Sequence, residues 1–176
     1  GGAASKRAEQ SALEVRTEGK IKYSNIKFVI NKEGKTTVMN RHGEIIVVDT
    51  TGRERERYPV IYGAILHAED GQEVKAKQLV ADWDPYTVPI LTEVSGKIQL
   101  GDVVEGESMQ EVIDEVTGRS RRVVMESKNK DDRPRIEIVG EDGEMITLSS
   151  GNKARYLLPL ATNIAVLDGE EVKAGD

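Results

Sequence analysis

Lys75 and Lys173 are the first residues to weigh, because each lies inside a heptapeptide that the chain contains twice, DGQEVKA at 70–76 and DGEEVKA at 168–174. A lysine can act as a nucleophile or carry a covalent group when its surroundings lower its pKa or an enzyme recognises its setting. Here each lysine directly follows a valine, Val74 or Val172, that a turn–strand pattern points inward. Alternation then places the lysine on the outer, solvated face of a strand. Other chemistry-bearing residues are sparse. His42 and His67 are the only histidines, and the chain has no cysteine, so the short ligand spacing of a zinc site is missing. Asp131, Asp132 and the run Glu105, Glu107, Glu111, Asp114, Glu115 could attract a cation, but no glycine stands where a calcium loop turns. No glycine-rich phosphate loop opens a helix, and no serine stands in a nucleophile-elbow context. The charge runs RERER (53–57) and KNKDDRPR (128–135) suit solvated strand and loop, or a contact surface. The sequence therefore assigns no catalytic, cofactor-binding or metal-binding residue.

Composition bounds the class of protein. The 25 basic and 31 acidic residues give a net charge of −6, whereas a general nucleic-acid binder is usually basic. Without cysteine, disulfides and thiolate-bound zinc are impossible, which suits a reducing cytosol. No apolar run approaches the roughly 20 residues that span a bilayer. The opening GGAASKRAEQSALEV lacks the apolar core of a signal peptide. With one Trp, one Phe and five Tyr, the core must come from Val, Ile and Leu, and the β-branched members of that set favour strands.

The elements that carry these residues read as all-β. The first 18 residues are polar and Ala-rich, and their apolar spacing fits a helix or an irregular lead-in equally. From Ile21 short alternating or β-branched runs, such as IKYSNIKFVI, TTVMN and EIIVVD, are separated by turns rich in Gly, Asn and Asp. No helical period follows residue 18. Beyond the heptapeptide, GEIIVVDTTG (43–52) matches GEMITLSSG (143–151), and RY at 57–58 matches RY at 155–156. The offset falls by single steps, from 100 at Gly43 to 98 at Asp70, as expected for two diverged copies of one unit. The expected organisation is a lead-in over 1–18, a first β domain over 19–100 and a second over 101–176, with the boundary open within 79–118. In that segment Asp84-Pro85 makes a turn, VPIL (88–91) enters a strand, and EVSGKIQL reads as strand, glycine break, strand.

Two family resemblances bear on function. The repeated turn–strand unit is similar to the frame of biotinyl and lipoyl carrier domains, whose modified lysine sits at a hairpin tip in a context such as MKM or DKA; neither tripeptide occurs here. The second is more extensive. ADWDPYTVPILTEVSG (81–96), followed by GDVVEG (101–106) and DEVTG (114–118), resembles the β′ subunit of bacterial DNA-directed RNA polymerase, in the insertion that many Gram-negative bacteria carry within its trigger loop. GGAASKRAEQSA and VLDGEEVKAGD are similar to the two ends of that insertion, so the likeness covers essentially the whole chain.

The β′ resemblance implies two tandem sandwich–barrel hybrid motifs, one for each copy of the repeat. It also implies a non-catalytic regulatory module that tunes trigger-loop closure, and with it elongation, pausing and transcript cleavage. The isolated chain would not be an enzyme, although its parent is a nucleotidyltransferase. The parent's Mg and Zn would be bound elsewhere, since neither its NADFDGD motif nor its zinc cysteines occur here. Partners would be the β and α subunits and the rest of β′, with DNA and RNA held by the parent and no membrane. The location would be cytoplasmic, at the nucleoid. A carrier domain and a free-standing β-rich adaptor stand as alternatives.

Overall fold

The computed structural model describes residues 11–176, and among them there are strands and no helix. They form two compact units, one running to Leu91 and taking in Ala174–Asp176, the other Thr92–Lys173. The first contains β1 (Ala12–Glu14), β2 (Gly19–Ser24), β3 (Phe28–Ile30), β4 (Thr36–Val38), β5 (Gly43–Val48), β6 (Glu54–Val60), β7 (Ile65–Leu66), β8 (Glu73–Val74) and β9 (Leu79–Asp82). Its antiparallel sheets have the orders β6-β5-β2-β8 and β1-β9-β7-β4-β3. The second contains β10 (Gly96–Gly101), β11 (Met109–Ile113), β12 (Ser120–Val124), β13 (Arg135–Val139), β14 (Arg155–Leu157), β15 (Asn163–Ile164) and β16 (Glu171–Val172). Its sheets have the orders β14-β13-β10-β16 and β11-β12-β15. The sequence expectation of an all-β chain holds.

Each unit closes on its own apolar residues. Ile21, Ile45, Val47, Val60, Leu66 and Val80 are among the buried centre of the first, with Trp83 packed at its margin. The second has two smaller clusters, one around Ile98, Ile138 and Val172 and one around Met109, Val124, Leu158 and Ile164.

The repeat is visible hydrogen bond by hydrogen bond. Gly19 pairs with Val74 as Gly96 pairs with Val172. Ile21 N–H donates to Gln72 O, and Ile98 N–H to Glu170 O, both at 2.8 Å. The Asp-Gly turns do the same work twice: Asp70 Oδ1 accepts Tyr23 N–H at 2.8 Å, and Asp168 Oδ1 accepts Leu100 N–H at 2.9 Å. Gly71 and Gly169 supply positive φ values of 89° and 84°. Val74 and Val172 are both buried, as the sequence pattern requires.

One part of the sequence alignment is corrected. GEIIVVDTTG does not correspond to GEMITLSSG. Ile21 pairs with Val47 and Ile98 with Ile138, which makes β13 the counterpart of β5. Gly52 N–H closes its turn on Asp49 O, and Gly143 N–H closes the equivalent turn on Gly140 O. Gly143 therefore matches Gly52, not Gly43. The second unit then adds a hairpin, with Val139 bridging Met145 and Thr147 bridging Lys153, before the two copies realign at Tyr58 and Tyr156. Between these turns and the two tyrosines the copies differ by an inserted hairpin and not by single-residue deletions.

The domain limits also move. Residues 1–10 of the expected lead-in lie outside the described residues, and residues 12–14 form β1, which pairs with β9 in the first unit. The division falls between Leu91 and Thr92, inside the segment left open by sequence, so β10 belongs to the second unit and not the first. VPIL is irregular rather than a strand. Pro85 and Pro89 cannot donate to a ladder there, and the Pro89 ring packs on Gly63, where a Cβ would come within 2.6 Å of its Cγ.

One equivalent turn carries backbone strain in the second copy and not in the first. Gly63 N–H donates to Val38 O as Ala161 N–H donates to Val124 O, yet both positions need positive φ, 87° and 69°. An alanine in the left-handed region costs about 1–2 kcal/mol, of which glycine's greater unfolded entropy offsets about 0.5–1. Ala161→Gly is therefore expected to stabilise the second unit by about 0.5–1 kcal/mol. Urea unfolding followed by circular dichroism checks it, and a lower midpoint would show that the Ala161 methyl makes contacts worth more than the strain.

Candidate functional site

The repeated lysines are not on a strand face. β8 ends at Val74, so Lys75 opens a turn in which Gln78 N–H donates to Lys75 O at 3.2 Å. Lys77, which the sequence reading passed over, sits at the tip of that turn with φ 70° and donates its N–H to Val15 O at 2.6 Å. Its counterpart in the second copy is Gly175, φ 92°, so the tip lysine is not a shared feature of the repeat. The two-residue length of β8 is what defeats an alternation argument: there is no strand left for a lysine to face out from.

The histidines have separate surroundings. His67 Nε2 lies 3.0 Å from Asp82 Oδ1, both side chains more than a third exposed. His42 stands in an exposed turn whose carbonyl accepts from Asn25 Nδ2 at 3.3 Å. Among the described residues no three His, Asp or Glu side chains are grouped to hold a metal ion. The acidic candidates shape loops. Asp114 accepts Val116 N–H at 2.8 Å and Thr117 N–H at 3.3 Å, and these bonds hold its carboxyl below the usual range. Asp132 Oδ2 accepts the Ser127 hydroxyl at 2.6 Å.

The charge runs are likewise tied into local networks. RERER forms much of β6, an outer strand of its sheet. Arg57 reaches Glu44 and Glu54, each at 2.7 Å. Burial raises the Glu56 carboxyl, but hydrogen bonds from Tyr58 and from the Arg16 and Thr17 backbone and hydroxyl hold it below its ordinary value overall. In the KNKDDRPR loop, Asp102 accepts Arg133 N–H and Arg135 Nη1, both at 2.9 Å, which lowers its pKa. Arg135 also lies 3.3 Å from Glu137, a carboxylate only 6% exposed, with Arg155 at 3.8 Å on its other oxygen. Sequence reasoning passed over Glu137, because nothing local to it shows that Arg135 and Arg155 hold it. Its counterpart in the first unit is the buried Ile46.

The first unit has an open hollow of about 470 Å³ lined in part by Tyr23, Phe28, Ile30, Leu66, His67 and Asp70. IKYSNIKFVI reads as one alternating run, but the left-handed turn at Asn25, φ 52°, separates β2 from β3. Phe28 and Ile30 are 47% and 50% exposed. The rings of Tyr23 and Phe28 meet edge to face at 5.9 Å. Burial first, then the nearby Asp70 and Glu69 charges, pushes the Tyr23 phenol up to about 12. Apolar Phe28, Ile30 and Leu66 share the lining with polar Thr36, His67, Glu69, Asp70 and Gln72. No family model matches the chain.

Proposed function

We propose that this chain is a non-catalytic regulatory module of bacterial DNA-directed RNA polymerase, the insertion within the β′ trigger loop, with each unit a sandwich–barrel hybrid motif. The observation that carries the reading is the long run ADWDPYTVPILTEVSG with GDVVEG and DEVTG, in one ungapped order. One structural feature supports it: the units repeat one sheet order, β6-β5-β2-β8 and β14-β13-β10-β16. The reading places the protein in the cytoplasm with the polymerase; no helix among the described residues is long and apolar enough to cross a membrane.

Regulation follows from linkage. A trigger loop closes over substrate, and a folded module at its tip moves with it. Contacts that differ between the open and closed loop bias that equilibrium. Coupling of about 1–3 kcal/mol corresponds to roughly 5–150-fold in a rate or equilibrium. Excising the module and rejoining the loop is expected to preserve nucleotide addition and to change pausing, elongation or cleavage by several-fold or more. Primer extension on one template with intact and deleted enzyme tests this. Loss of all nucleotide addition in a correctly assembled deletion enzyme would overturn the non-catalytic assignment, and identical kinetics throughout would overturn the regulatory one.

A further inference from the structure

In the first unit the sheet continues beyond β7 to β9 and then β1, whereas in the second it stops at β15. The first copy therefore displays what the second lacks. His67 N–H donates to Val80 O at 2.8 Å, and Ile65 and Leu66 pair with Asp82 and Ala81. The pairing of Thr36 with Leu66 corresponds to that of Arg122 with Ile164, so Asn163 and Ala165 stand where Ile65 and His67 stand. Successive residues of a strand present their backbone groups to opposite sides. Ile164 thus faces β12, and Asn163 and Ala165 face outward. Both are exposed, and no described strand pairs with β15 on that outward side. On the closed side, Arg122 Nη2 donates to Val166 O. Leu160 and Leu167, which flank the edge, are 63% and 61% exposed.

We propose that the outer edge of β15 is a docking edge for an extended segment of a partner polypeptide. The chemistry of the occupant is read from β9, Leu-Val-Ala-Asp, in which Val80 and Ala81 are both 0% exposed. The segment is apolar at two adjacent positions, because both of its faces become covered, and its backbone supplies the hydrogen bonds. An open edge is a pairing template, and although β15 is only two residues long it carries neither proline nor lysine. The proposal rests on comparison of the two units and is independent of the polymerase reading.

The test titrates a synthetic peptide of residues 77–82, KQLVAD, into the isotope-labelled intact chain. The expected result is saturable NMR shifts largest at the Asn163 and Ala165 amides, with several-fold slower hydrogen exchange there. The same peptide N-methylated at the position of Asp82 keeps every side chain and is expected to lose the response. Ala165→Pro, which removes the outward donor at an exposed site, is expected to lose it too. Equal shifts from the N-methylated or a scrambled peptide would overturn the proposal. So would unmoved Asn163 and Ala165 amides at millimolar peptide. Protection of these amides that rises with protein concentration alone would assign the edge to a second copy and overturn it as well.

Discussion

Gly19→Ala is expected to destabilise the first unit by about 3 kcal/mol, more than a hundredfold in its folding equilibrium. Gly19 has no positive φ, so the cause is not backbone conformation. A Cβ at Gly19 would lie 2.4 Å from Val48 O and 2.8 Å from Val47 Cγ1. Val48 O belongs to a strand held in register by five successive pairs from Lys20–Val48 to Ser24–Glu44, so it cannot retreat without loosening the ladder. Gly96 occupies the same place in the second unit, where a Cβ would meet Ile138 Cγ2 at 2.6 Å and Val139 O at 2.8 Å. Gly96→Ala is expected to act in the same direction on the second unit. Trp83, the single tryptophan, packs against the first core, so its fluorescence reports that unit alone. The expected pattern is a shifted fluorescence midpoint for Gly19→Ala and an unshifted one for Gly96→Ala, with circular dichroism responding to both. An unchanged midpoint for Gly19→Ala would mean that the strands separate at little cost.

The second large effect is uncoupled unfolding. Thirteen buried apolar residues form one cluster in the first unit, against two clusters of four in the second. The second is therefore expected to unfold at lower denaturant, giving a dichroism transition that precedes the loss of Trp83 fluorescence. Ile138→Ala should widen the gap. Ile138 is fully buried against Ile98, and truncating such a residue costs about 2–5 kcal/mol. Coincident transitions, before and after Ile138→Ala, would show that the units unfold as one.

The parts of the fold legible in the sequence were those set by local chemistry. Asp70-Gly71 and Asp168-Gly169 announce their turns because an aspartate acceptor and a positive-φ glycine are needed there whatever surrounds them. What sequence could not settle depended on partners far along the chain. Gly43-Glu44 and Gly143-Glu144 look alike, each preceding β-branched residues, and only the pairing of β10 with β13 tells them apart. β1 is three residues long and is held by β9, too distant to be read from its own pattern. The candidate site fared similarly. The split of IKYSNIKFVI into two strands rests on the left-handed backbone at Asn25, and the burial of Glu137 depends on Arg135 and Arg155.

The position of β8 and β16 has a consequence for synthesis on the ribosome. β2 and β10 are each flanked by a strand formed much later in the chain, Glu73–Val74 and Glu171–Val172. All members of the first core are present once Ala81 has emerged, while the second lacks Val172 until near the end. At about 5–20 residues per second, the segment from Gly96 to Val172 takes roughly 4–15 s to make. For that interval one side of β10 is open on the nascent chain after the first unit has all of its core. Slow codons or a stalled ribosome between residues 140 and 170 would lengthen that window, and a chaperone that shields strand edges would act there first.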